Sequence, residues 1–269
     1  MKILYIVHNT FRECTRSKAL YTSLVFSLVL LLFAKLLGEW AIFFREKMLQ
    51  AFSLTVMTFS SVFLGIYCAI TLFHSEFQRK TIGGVLSHAV SRWQFILGKY
   101  LGLQIVLLLN LLVLGLGSTL IQTLSGVSVP DGYSVCIYFI FLEAALIASA
   151  ALFFATFTSP FLSAWFSIAV YLMGYWVNGI AEQIILLNGE SYGLQDALHL
   201  PDWSLFVARG VQWILPNLDR LNYKTQVLYG GGISWTTIGA STGYALCYVV
   251  LFCGGAMLWF QKRELSVKD

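Results

Sequence analysis

The chain has 269 residues, 58% of them hydrophobic and 11% charged, with a formal net charge of +4 and a mean hydropathy of +0.76. Soluble domains carry about 25% charged residues, so a chain this apolar cannot cover a water-facing surface, and a soluble globular protein is excluded. Its basic residues form no aromatic-interleaved patch, which speaks against nucleic-acid binding.

In chain order, Lys2, Arg12, Arg16 and Lys18 precede the first apolar run. That run is too long for the core of a signal peptide and is followed by no small-residue cleavage site, so it reads as a retained span. Before it, Ile3, Ile6, Val7, Phe11 and Cys14 fall near one helical face, largely away from Lys2, Asn9, Arg12, Glu13 and Arg16. Two readings stand: an amphipathic helix in the interface plane, or a simple charged flank of the first span. Six segments reach the roughly 20 apolar residues that a helix needs to cross a bilayer: Ala19–Leu37, Ala51–Phe73, Tyr100–Ile121, Ser134–Phe157, Phe161–Leu187 and Trp235–Phe260. None shows the alternation of a membrane barrel strand. The predicted fold is an all-α, six-span polytopic bundle, residues 1–269 forming one membrane domain. With the N-terminus inside, the inner pieces carry eleven Lys and Arg and the outer pieces six, which places both termini on the cytoplasmic side.

The connections carry local signals. Thr158-Ser159-Pro160 joins spans four and five, with Ser159 as N-cap and Pro160 at the first helical position. Gly126, Pro130, Asp131 and Gly132 mark a turn between spans three and four. Between spans two and three, His74 to Gly98 holds a concentration of polar residues. There Ser91 and Gln94 form a possible capping box, predicting a helix that starts near Arg92 and runs on into span three. The stretch SEFQRKTIGGVL reads as a short helix broken at Gly83-Gly84. Trp93 suits the interface and Lys99 is expected to snorkel towards it. This segment is either a basic loop that only fixes topology or a docking element for a cytoplasmic partner. The outer loop from Asn188 to Ile233 is too long for a mere connector. Within it Trp203, Phe206, Val207, Val211, Ile214 and Leu215 recur at helical spacing between Pro201 and Pro216, with Asp202 as N-cap.

Inside the spans, Glu143 is either a cavity-lining or gating residue or a neutral, hydrogen-bonded structural group. Asn110 in span three more often bonds a neighbouring helix than a substrate, and Lys35 snorkels. Gly98 and Gly102 make a G-x-x-x-G that hints at tight packing at the start of span three. The five cysteines form no CxxC and read as small apolar packing residues rather than a disulfide frame or a metal site. His8, His74, His88 and His199 are scattered outside the expected spans. No phosphate-cradling G-x-x-x-x-G-K-[ST] occurs, so ATP is not expected to bind this chain.

Several stretches carry a resemblance. Glu76…Arg79-Lys80-Thr81-Ile82, Val85-Leu86-Ser87, Val90-Ser91-Arg92 and Leu97-Gly98-Lys99-Tyr100-Leu101-Gly102 resemble the E-x-x-x-x-T-I, L-S-x-P-V-S-R and G-K-Y-x-G pattern of ABC-2-type permeases, the membrane subunits of ATP-binding cassette exporters. Ala89 stands where that family usually has proline, which leaves the shape of the bend open. Asn9 to Glu13 with Arg16, Lys18 and Tyr21, then Phe154 to Pro160, Leu215-Pro216-Asn217-Leu218, and Phe260 with Lys262 to Leu265 resemble further family segments in order.

The resemblance implies a permease of the bacterial inner membrane, paired with a second or homologous permease and with a separate ATPase that holds ATP and Mg. It implies a coupling segment between spans two and three, with Glu76, Arg79, Lys80, Thr81, Ser91 and Arg92 meeting that ATPase. It also implies an external helix beside the path, in which Trp213 is a gate candidate alongside Asn110 and Glu143. No cofactor or metal is expected on the chain itself. The alternative function is a non-transport membrane anchor that recruits a cytoplasmic partner through the same segment.

Overall fold

The computed structural model describes residues 2–40, 44–78, 91–189 and 215–262. They form helices α1 (Lys2–Arg16), α2 (Lys18–Trp40), α3 (Arg45–Gln78), α4 (Arg92–Leu124), α5 (Tyr133–Ala155), α6 (Pro160–Gly189), α7 (Lys224–Leu228) and α8 (Trp235–Lys262), with a 3-10 turn at Leu218–Leu221. Among the described residues there is no strand. Among the described residues, five helices are long and apolar enough to cross a membrane: α2, α3, α4, α5 and α8. The expected fifth span falls on α6, a helix of 30 residues.

The long helices alternate in direction. Asn110 meets Ser61 and Lys99 meets Leu72, which sets α4 antiparallel to α3. Tyr138 meets Thr242 near the start of α5 and α8, and Phe153 meets Phe252 further along both, so these two run parallel. The centre is occupied by α3 and α5, where 78% of each apolar window is buried, against 22% for α2. Small residues allow this: Gly65 of α3 lies against Ala144 and Ala148 of α5, and close approach is what holds helices together where water supplies no driving force.

The local signals explain the ends. Ser17 stops α1 by folding its N–H and its hydroxyl back onto the Cys14 carbonyl, so α1 is a separate helix and not a flank of α2. The α4–α5 turn needs left-handed backbone at Gly126 (φ +68) and Gly132 (φ +91), which glycine adopts without a Cβ clash. Pro160 opens α6, where its missing N–H costs nothing. Elsewhere α3 overruns the expected Ala51–Phe73 at both ends, and His74, placed outside the spans on sequence, lies on this helix.

Candidate functional site

The first polar region lies where α3 ends and α4 begins. Arg79, Lys80 and Thr81 lie outside the described residues, as does the break at Gly83-Gly84. Glu76 sits in the last turn of α3 and Arg92 opens α4. Ser91 is the N-cap, with extended backbone (φ −71, ψ 145), and its N–H donates to Gln94 Oε1 at 3.3 Å. The reciprocal half of the box is weak, since Ser91 Oγ makes no hydrogen bond of ordinary geometry.

Lys99 corrects an expectation. It does not snorkel to the interface: it is 1% exposed and its ammonium donates to the Leu72 carbonyl of α3. The cause is enclosure by rings. Phe95 packs beneath the ammonium (5.3 Å), and Phe260 of α8 stacks on Phe95 (6.0 Å) and meets Phe73 edge to face (5.8 Å). A charge buried this way is retained only when it is well partnered.

Three further ties join the same end. His74 Nδ1 and Nε2 face the Ile70 and Thr158 carbonyls at 3.1 and 3.2 Å, linking α3 to the α5–α6 turn. Ser75 donates to Glu13 of α1 at 3.2 Å. Helix α1 lies along the first turns of α4, seated on Gly98 and Gly102. A Cβ at Gly98 would come within 2.7 Å of Ile6, and one at Gly102 within 2.7 Å of Thr10. Side chains at either position would lever α1 away. The ends of α3 and α4 that flank residues 79–90 are therefore braced from three sides, by α1, α8 and the α5–α6 turn.

The second polar region is deeper and nearer the opposite end. Asn110 is fully buried and donates to Ser61 at 3.3 Å, across the α3–α4 seam. Glu143 is fully buried on α5 and accepts from the Tyr175 hydroxyl of α6 at 2.5 Å. Its second oxygen has no hydrogen-bond partner among the described residues. Lys224 of α7 is close enough to act on Glu143 electrostatically. Burial pulls the Lys224 ammonium below the ordinary lysine range, and the Glu143 carboxylate opposes that shift. Sequence reasoning singled out Asn110 and Glu143 but missed Tyr175 and Lys224. Tyr171 and Tyr175 stand one turn apart on α6, a spacing that hints at a polar edge; Lys224 looked like an ordinary loop charge. Trp213 and the expected outer helix up to Ile214 lie outside the described residues.

The connector from Leu215 to Ser234 caps this region. Leu218 is fully buried, and Gly174 of α6 makes room for it: a Cβ there would meet Leu218 at 2.7 Å and the Pro216 carbonyl at 2.8 Å. Asn217 Oδ1 accepts from Asp219 N–H at 3.1 Å, and Asn217 N–H donates to the Tyr244 hydroxyl of α8 at 2.7 Å. At the other side, Lys47 of α3 sits over the Tyr229 ring at 4.0 Å. The Leu-Pro-Asn-Leu stretch is thus a strap that fixes the connector across α3, α6 and α8.

The family described as ABC-2 family transporter protein matches residues 34–265. The chain belongs to this family. The match takes in both polar regions, the strap and the segment between α3 and α4, and it makes the chain a multi-pass membrane protein of the ABC-2 permease type. Members of the family are membrane subunits that partner an ATP-binding cassette ATPase. No match was found among curated proteins.

Proposed function

We propose that this chain is the permease subunit of an ATP-binding cassette exporter, with α6 as a sixth span and both termini on the cytoplasmic side. It forms the translocation path with a second copy or a homologous permease. A separately made ATPase, which binds ATP and Mg, docks on residues Glu76 to Arg92.

The observation that carries this reading is the bracing around the α3–α4 junction. A force applied to the connecting segment must move helices and not bend them. A 33-residue α4 capped at Ser91 is a long lever, and the Lys99, Glu13 and glycine contacts tie its base to α3 and α1. In the described state Asn110 and Glu143 are fully buried, so they line the path only when the α3–α4 and α5–α6 seams part. Such parting is what an alternating-access cycle driven from the α3–α4 junction supplies. Trp213 belongs to the outer gate.

The deciding experiment reverses charges at the docking segment. Glu76→Lys and Arg92→Glu replace attraction by repulsion at a contact while leaving the apolar spans unchanged. Both variants are expected to reach normal membrane abundance, to lose pull-down of the ATPase encoded beside the permease, and to lose its stimulated turnover in vesicles. Normal ATPase binding and transport in both variants refutes the coupling role and leaves the segment as a topology signal.

A further inference from the structure

A chamber of about 440 Å³ opens between α3, α6 and the connector, on the side of the bundle that holds Lys224. This volume falls within the roughly 300–1,000 Å³ of small-molecule sites. Its polar lining offers several acceptors and a single charge. Thr55 and Thr58 spend their hydroxyl protons on the Ala51 and Leu54 carbonyls, each at 2.8 Å. Tyr175 spends its proton on Glu143. Asn222 Oδ1 is buried and has no partner among the described residues. The two threonine hydroxyls, the Tyr175 hydroxyl and Asn222 Oδ1 thus offer lone pairs to an occupant. Beside them stand donors: the Asn222 amide, the Trp176 indole N–H, the Thr225 hydroxyl and one charged group, the Lys224 ammonium. The remaining walls are largely aromatic, with Phe59, Tyr171 and Trp176 among them.

The chemistry of an occupant follows from this census. A ligand that only accepts hydrogen bonds leaves the Asn222 oxygen and the threonine lone pairs unmet, and buried polar atoms without partners are costly. A purely cationic donor is repelled by Lys224. A ligand carrying several hydroxyl donors and one anionic group satisfies both sets, and its carbon frame can lie on the rings. We propose that this chamber binds a polyhydroxylated headgroup bearing a single anionic group, with the anion on Lys224 and the hydroxyls on Asn222, Thr55 and Thr58. Two sources offer that chemistry: the headgroup of a polyol phospholipid, and a free sugar phosphate. That the occupant is the cargo rests on the permease reading; that the chamber binds it does not.

The test uses the full chain in nanodiscs without any ATPase, so its outcome is independent of docking and transport. Melting temperature is followed with phosphatidylinositol or phosphatidic acid at equal fractions in phosphatidylcholine, and separately with glucose 6-phosphate in pure phosphatidylcholine. A ligand that binds only the folded state raises the melting temperature as its concentration passes the dissociation constant. Stabilisation by phosphatidylinositol alone assigns a lipid source; stabilisation by glucose 6-phosphate assigns a soluble one. In either arm Lys224→Arg retains binding and Lys224→Met weakens it by about 10- to 100-fold, the range for losing one charged hydrogen bond. Thr58→Val, nearly isosteric, weakens the polyol ligands and not phosphatidic acid. No stabilisation by either polyol probe, or equal affinity in Lys224→Met, overturns the site. Phosphatidic acid binding as well as phosphatidylinositol overturns the polyol assignment.

Discussion

Replacing Gly98 and Gly102 of α4 by alanine tests whether α1 is seated as described. In Gly98→Ala/Gly102→Ala the new Cβ atoms lie 2.7 Å from Ile6 Cγ2 and from Thr10 Cβ, and the one at 102 lies 3.0 Å from the Val7 carbonyl. Carbon atoms rest at about 3.5–4.0 Å, so α1 must retreat by roughly 1 Å. Overpacking of this kind costs about 1–3 kcal/mol. Alanine's better helix propensity leaves this docking equilibrium untouched, because α4 is helical whether or not α1 is seated. One retreat of α1 relieves both clashes, so the two costs do not simply add. The expected penalty on α1 docking is about 1–3 kcal/mol, a roughly 5- to 150-fold rise in the undocked fraction.

Cys14 reports that fraction. It is 2% exposed, against the core that α1 covers. With the exposed Cys247 replaced by serine to remove background, maleimide labelling of Cys14 in mild detergent should accelerate by the same factor, because a buried thiol reacts only through the open form. Thr10→Gly added to the alanine variant removes the atoms that clash at 102 and should restore part of the protection. Gly115→Ala is the control: its Cβ meets only Ile137, far from α1, and should leave the rate unchanged. A rate in the double variant equal to that of its parent refutes the seating of α1 on the glycines, and with it the brace on which force transmission depends.

Three further outcomes are expected. In intact cells a cysteine at Gln78 should resist impermeant thiol reagents while one at the exposed Asp131 reacts; the reverse pattern overturns the orientation and the docking argument together. Tyr175→Phe leaves Glu143 Oε1 without its donor and should cost about 1–3 kcal/mol of stability, whereas Glu143→Gln keeps an acceptor for the tyrosine and should cost less; equal melting temperatures for Tyr175→Phe and the parent refute that bond. Because burial lowers the Lys224 ammonium, the native state sheds this proton before the unfolded chain does at about pH 10.4. The unfolded state then binds more protons, so stability should rise with pH between the lowered value and pH 10.4. Thermal melts at stepped pH should show that slope flattened in Lys224→Met, and an unchanged slope in the variant sinks the assignment.

Where helices lie and how they begin could be read along the chain. Apolar length placed the cores of α2, α4, α5 and α8. Ser91, Pro160 and the glycines at 126 and 132 marked their boundaries. These signals are local: hydropathy, caps and positive φ act within a turn or two of the residue that carries them. The start of α4 near Arg92 and the close packing at Gly98 and Gly102 were legible for the same reason.

Which helices and side chains meet emerges from the packed bundle alone. The G-x-x-x-G announced a close contact but not its partner, which is α1 and not another span. Lys99 looked like an interfacial lysine because nothing nearby in the chain reveals that Phe260, at the far end of the sequence, closes over Phe95 and Phe73. Glu143 stood out alone, while its partners Tyr175 and Lys224 come from a later helix and from a connector. Between helices in lipid there is no hydrophobic force to set the pairing. Pairing rests on close packing and a few interhelical hydrogen bonds, and these depend on the mutual fit of all the helices, which no window of sequence contains.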